Sequence, residues 1–194
     1  MAIRIVTIGG SIRPGNYTAM ALELLNDEFR RTADVELQTV DLNTVDLVFP
    51  GREPKDQSAE AFRATVAAAT GVVLATPEYH GSFSSLTKLA IENLGFPSVL
   101  AGKPVALLGV AAGQIGAIKS LEHLRSVCSH VGALVLPALV SVARVQDVFD
   151  ESGKCLEPQT EKRIRGVART LLDYIHGAIC PKVVLEAMMR EQAA

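Results

Sequence analysis

Cysteine is scarce in this 194-residue chain. Cys128, Cys155 and Cys180 are odd in number and widely spaced, and no Cys-x-x-Cys pair occurs. That spacing indicates neither a disulfide framework nor a thiolate zinc site. Reduced thiols in a cytoplasm are the expectation. No apolar run reaches the roughly 18 residues of a membrane span. The N-terminal MAIRIVTIGG enters a strand pattern directly, without the basic and apolar regions of an export signal. The Asn16-Tyr17-Thr18 sequon is accidental in a cytosolic protein. Neither sign of charge is in excess: the net charge is −2 and the pI about 6.1, which offers no broad basic face to nucleic acid or a membrane surface. Several chemical signatures are missing as well. There is no G-x-x-x-x-G-K-[ST] and no G-x-G-x-x-G, which argues against a nucleoside-triphosphate hydrolase and a dinucleotide-fold dehydrogenase. There is no G-x-S-x-G elbow, and no second His or carboxylate stands at metal-ligand spacing from His80 and Glu78.

Apolar residues are plentiful, at 48%, enough for a well-packed core in one domain. Ile3, Ile5, Val6 and Ile8 form a β-branched run ending at Gly9, a strand. Tyr17, Met20, Ala21, Leu24 and Leu25 fall at helical spacing. Val35, Leu37 and Val40 give a second strand, residues 42–56 a loop, and Ser58 to Ala69 a helix. Val72 to Ala75 is a continuous apolar run, as in a strand buried on both faces. Leu86, Leu89, Ala90 and Leu94 mark a helix, KPVALLGVAAG another buried strand, and Leu121, Leu124, Cys128 and Val131 the next helix. Ala133 to Val140 reads as a fifth strand interrupted by Pro137. Ile164, Val167, Ala168, Leu171, Leu172 and Ile175 mark a fifth helix.

Five alternations of strand and helix imply right-handed crossovers and a parallel sheet covered on both faces. The fold class is α/β, a flavodoxin-like doubly wound five-stranded parallel sheet in the order 2-1-3-4-5. Residues 1–176 make this domain. Residues 177–194 are a C-terminal extension of helical character, with Gly177 stopping the last domain helix and Pro181 starting another. Leu185, Met188 and Met189 share one face of it, which either contacts a partner or folds back on its own domain.

Ligands of such sheets bind beyond the C-terminal strand ends, where strand order reverses. Three loops rich in Gly and hydroxyls converge there: Gly9–Thr18, Thr76–Ser85 and Val110–Gly116. The first suits a phosphate. Gly9 and Gly10 let the backbone approach, while Ser11, Asn16, Tyr17 and Thr18 offer hydrogen bonds at a helix N-terminus. Arg13 can fork onto phosphate oxygens. The alternative is an ordinary capping turn with a solvated Arg13. In the second loop Pro77 fixes the chain, Tyr79 gives an aromatic surface, and Glu78 and His80 serve either acid–base chemistry or loop hydrogen bonding.

GSIRPGNYTAMA followed by TPEYHGSFSSLTKLAIENL resembles the NADPH-dependent FMN reductase family of flavodoxin-like oxidoreductases, over roughly residues 2–176. The resemblance implies that Ser11, Arg13, Asn16, Tyr17 and Thr18 bind the flavin phosphate. It implies that Pro77, Glu78, Tyr79, His80 and Gly81 line one side of the isoalloxazine, largely through backbone atoms. Ala112, Gly113 and Gln114 would approach from the third loop. It further implies hydride transfer from NADPH to bound FMN and onward to a flavin, quinone, azo compound or chromate, with no protein nucleophile, and a homodimer or homotetramer. His80 stands where the family often has Asn, and Ser84 or Ser85 where it usually has Pro. Two other readings of the fold stay open: an FMN electron carrier that never meets a nicotinamide, and a binding or scaffold protein without flavin.

Overall fold

The N-terminal run forms β1 (Ile3–Gly9) and the second forms β2 (Val35–Val40), paired in parallel register from Ile3 opposite Val35 to Ile8 opposite Val40. This computed structural model describes residues 2–137 and 139–192. On the other side of β1 lies β3 (Gly71–Tyr79), followed by β5 (Pro104–Val110), both parallel to it. The flavodoxin-like α/β class holds, with two corrections to the strand count. The sheet has seven strands in the order β2-β1-β3-β5-β6, where β6 is Leu134–Val135, with β4 (Ser82–Phe83) antiparallel to β3 and β7 (Val140–Val142) on β5. The expected fifth strand is broken into β6 (Leu134–Val135) and β7, both parallel to β5. Pro137 falls in the break, where it has no N–H to give a ladder.

Side chains of β3 alternate between two cores. Val73 and Ala75 pack toward α1 (Tyr17–Arg30) and α6 (Pro158–Tyr174), alongside Leu25, Phe29, Ile164 and Leu171. Val72 and Leu74 pack the other way. There they meet α2 (Ser58–Ala68), α3 (Ser85–Glu92) and α4 (Ile118–His130) through Phe62, Ile91, Leu121 and Leu124. A period of two on a strand sends alternate residues to opposite faces, so one apolar run feeds both layers. The buried stripe of α1 is rotated from the expected one: Ala21, Leu22, Leu25 and Phe29 are fully buried, and Tyr17, Met20 and Leu24 pack at its margin. The helix is flanked by the sheet and by α6, which widens its apolar arc.

Helices α1 and α6 are also tied by charge. Arg165, 15% exposed, reaches Asp27 Oδ2 at 2.7 Å, Glu161 Oε1 at 2.8 Å and the Leu24 carbonyl at 3.1 Å. Arg169 reaches Glu28 at 2.6 Å. The Arg165 hydrogen bond holds the Asp27 carboxyl below its ordinary range. Cys128 and Cys155 are buried, and burial pushes the Cys128 thiol up to about 12.

Gly177 does not end the last domain helix. The chain widens into a π-type turn over Ile175–Ile179 and continues into α7 (Cys180–Gln192). Val184, Leu185, Met188 and Met189 of α7 are all exposed, so the apolar face of the extension does not fold back. Among the described residues no helix is long and apolar enough to cross a membrane.

Candidate active site

Three loops meet at the C-terminal edge of the sheet around a cavity of about 430 Å³. The first loop is organised by Asn16. Its side-chain oxygen caps α1 through the Ala19 amide at 2.8 Å, while its amide nitrogen donates to the Arg13 carbonyl at 2.7 Å and the Ser11 carbonyl at 3.3 Å. The Asn16 side chain is therefore spent on the loop. Amides earlier in the first turn of α1 have no intrahelical acceptor by construction, and they form the positive end of the helix dipole. Ser11 Oγ is buried and has no hydrogen-bond partner among the described residues. A buried hydroxyl without a partner costs about 1–3 kcal/mol, which an oxygen-rich ligand in this cavity would recover. Arg13 is exposed and lines the same cavity.

Gly10 has a different reason from the expected one. A Cβ there would stand 1.9 Å from Thr87 Oγ1 and 2.9 Å from Ser84 Oγ. The missing side chain makes room for the second loop rather than for a phosphate. Ser84 Oγ donates to the Gly10 carbonyl at 2.6 Å and accepts from the Thr87 amide at 3.1 Å, capping α3. Thr87 Oγ1 in turn reaches Thr76 Oγ1 at 3.2 Å. All three hydroxyl residues are buried. This network locks loop one to β3.

Residues 76–79 are strand, not loop. The chain turns at His80 (φ 51°) and Gly81 (φ 76°) and returns as β4, with Tyr79 opposite Ser82. Two consecutive positive φ values make a two-residue hairpin of the primed type, whose preferred residues are Asn and Gly. That is why Asn suits position 80, and why His, tolerated in the left-handed region, can replace it. Glu78 turns its carboxylate to α4, where Oε2 accepts from the Ser120 amide at 3.1 Å. It caps a helix whose own N-cap, Ala117, has no side-chain acceptor.

The cavity is lined by Ser11, Arg13, Asn16, Tyr17, Thr18, Pro77, Glu78, Tyr79 and Ala112 of the expected residues. His80, Gly81, Gly113 and Gln114 are nearby in sequence but are not part of its wall. Pro14, Gly15, Val110 and Ala111, which belong to the expected loops but were not named as contacts, also line it, and Val145 lines it from outside those loops. Val145 is held there by its backbone N–H, which donates a hydrogen bond to the Ala111 carbonyl at 3.0 Å. Its only sequence signal was indirect: a strand pairing with β5 must open at the same edge.

The sequence profile of the NADPH-dependent FMN reductase family matches residues 3–147. The chain belongs to this family. An NAD(P)H-dependent FMN reductase of Pseudomonas aeruginosa is 31% identical over 170 residues, covering 84% of this chain and 90% of the relative. A 2-hydroxy-1,4-benzoquinone reductase from a Burkholderia species is 26% identical over 85% of this chain and 92% of its own. An NADPH azoreductase of a Bacillus species is 31% identical over 80% and 85%. Among solved structures, the flavoenzyme NAD(P)H:(acceptor) oxidoreductase of Paracoccus denitrificans shares the fold with TM-score 0.73 at 20% identity, over 91% of this chain and 98% of that one. This FMN reductase family member is an NAD(P)H-dependent oxidoreductase with FMN as cofactor. The residues present fit that cofactor: the Ser11 hydroxyl, unpartnered among the described residues, the first-turn amides of α1 and Arg13 are donors of the kind a phosphate requires.

Proposed function

We propose that this reductase carries electrons from NADPH, through FMN held in the 430 Å³ cavity, to a small acceptor of the flavin, quinone, azo or chromate class. When bound, FMN supplies the hydride and electron chemistry, and the protein supplies position and charge. The observation that carries the reading is the buried, unpartnered Ser11 hydroxyl at the N-terminal end of α1, beside Arg13. Ser11, Arg13, Tyr17 and Thr18 hold the phosphate, and Asn16 shapes the loop that presents them. Pro77, Glu78, Tyr79 and Ala112 flank the ring, with His80 and Gly81 setting the hairpin and Gly113 and Gln114 completing the third loop. The carboxylate of Glu78, engaged at α4, is not a proton donor in this scheme. Residues 1–176 form the flavin-binding unit, residues 177–194 an appended arm. The protein is cytoplasmic and assembles as a homodimer or homotetramer.

Two titrations test the reading. FMN should bind well above riboflavin by calorimetry, because the phosphate cradle is the anchor. Anaerobic NADPH should then bleach the flavin band. Equal affinity for the two flavins, or a band that persists with NADPH, refutes it.

A further inference from the structure

Two surfaces lie uncovered toward the N-terminal ends of the strands, away from the flavin cavity. The first is α7. Residues 181–191 are all exposed, and Leu185, Met188 and Met189 stand 61%, 53% and 70% in solvent beside Val184. These side chains recur at helical spacing and share one face. A helix of this length draws most of its stability from packing, and α7 has nothing of its own domain to pack on. The second surface is a groove of about 550 Å³ between α2 and the β1–β2 pair, lined among others by Arg4, Val6, Glu36, Gln38, Ala64 and Ala68. Ala64 and Ala68, one turn apart on α2, are exposed and carry no bulk, so a second helix can approach closely there. Charge opposes neither surface. The groove offers the Arg4–Glu36 pair at 3.3 Å, and α7 balances Lys182 and Arg190 against Glu186 and Glu191.

The two surfaces adjoin, but on opposite faces of the sheet. Ile175, at the root of α7, covers the first residue of β3: a Cβ on Gly71 would stand 2.8 Å from Ile175 Cδ1. Beside it His176 Nε2 and Asp34 Oδ2 are 3.0 Å apart, and the Asp34 carbonyl accepts from the Ile3 amide at 2.9 Å. The next residue, Arg4, already lines the groove. Yet Ile175 belongs to the core under α1 and α6, whereas Val6 and Val66 belong to the core under α2. Because α7 continues α6 through the π-type turn, it cannot round the sheet edge into its own groove without breaking the helix. The α7 of another molecule meets no such obstacle.

We infer that α7 of one copy docks in the α2–β2 groove of a second copy, and the second copy's α7 in the groove of the first. Leu185, Met188 and Met189 enter at i, i+3 and i+4, the anchor spacing of a helix in a groove, while Lys182, Glu186 and Arg190 stay at the rim. This rests on the homo-oligomer of the proposed function and names its contact. A reciprocal exchange about a two-fold axis covers both surfaces of both copies. Pairing α7 with a second α7 would cover one and leave the groove open.

Sedimentation velocity of the full chain over a concentration series tests the contact. Wild type should sediment as an oligomer at micromolar concentration. Met188→Glu puts a charge on the docked face and Ala64→Lys one in the groove. Each should make the assembly dissociate at a concentration at least about tenfold higher than wild type. The chain carrying both substitutions brings opposite charges together and should assemble at least about threefold more tightly than either single variant. Both positions are exposed in the single chain, so circular dichroism and quenching of FMN fluorescence should match wild type. An assembly that Met188→Glu breaks and Ala64→Lys leaves intact overturns the docking, because α7 then pairs with some other surface. An assembly that neither variant weakens overturns it and leaves the homo-oligomer standing, as does one that both weaken with no recovery in the double variant. A monomeric wild type strikes the homo-oligomer itself, and failure to bind FMN strikes the reductase reading alone.

Discussion

Gly10→Ala puts one methyl group where loop one meets β3. The new Cβ would lie 1.9 Å from Thr87 Oγ1, 2.9 Å from Ser84 Oγ and 3.1 Å from the Ala75 carbonyl. None of these atoms is the free end of a flexible side chain. The Ser84 hydroxyl holds the Gly10 carbonyl and caps α3, and Thr87 is bonded to Thr76. Overpacking of this kind costs about 1–3 kcal/mol, and a lost cap adds about 1 kcal/mol. The total comes to about 3 kcal/mol, a large share of the roughly 5–15 kcal/mol that holds a domain folded. Thr87→Ala alone gives up a neutral hydrogen bond, about 1 kcal/mol, yet it removes the atom in the worst contact. The double variant should therefore lose less than the sum of the two, with a coupling of about 1–2 kcal/mol. Urea melts of the FMN-free proteins measure all four corners of the cycle. Quenching of FMN fluorescence should show weaker binding in Gly10→Ala, by at least about tenfold, because the phosphate loop is displaced. Additive losses within about 0.5 kcal/mol, or wild-type stability in Gly10→Ala, would refute the idea that this glycine exists to let the loops interlock.

Arg13→Ala should weaken FMN about 10- to 100-fold, the worth of one charge-assisted contact, while the bleaching rate at saturating FMN stays within a few-fold of wild type in stopped flow. His80→Val places a β-branched residue at φ 51° and should cost about 1–2 kcal/mol in a thermal melt, whereas His80→Asn should be neutral or slightly stabilising. Asp27 has its carboxyl depressed by Arg165, so its contribution is complete above the unfolded value and is lost as pH falls through the lower folded one. Arg165→Gln should therefore shift acid unfolding, followed by circular dichroism, to higher pH and flatten the dependence below about pH 4. Unshifted acid unfolding would remove Asp27 from the account.

The parts of the fold that were readable in the sequence are those in which one force decides. Val72 to Ala75 is apolar without interruption because both faces of β3 are covered, and α6 shows its stripe because a single face is buried. The hairpin at residues 80–81 was missed because His is a weak signal for a positive φ, and Glu78 was ambiguous because a capping carboxylate and a catalytic one look alike in a string. Gly177 was read as a stop, but tertiary packing of Ile175, Ile179 and Cys180 carries the helix through. Val145 was legible only indirectly. It follows a three-residue strand, opening a short helical turn, and its place depends on β5, more than thirty positions away in the chain.

The cavity wall draws on residues 11, 13–18, 77–79, 110–112 and 145. No fragment of the chain brings these together, because the loops meet only after β1, β3, β5 and β7 have found one another in order. A ligand that needs the whole set distinguishes the finished molecule from every partly assembled one. Such a ligand adds about 2.7 kcal/mol to stability at a concentration 100 times its dissociation constant. It also makes the flavin a clock. During refolding in the presence of FMN, quenching of the flavin fluorescence should develop with the pairing of the short β7 and trail the recovery of helix.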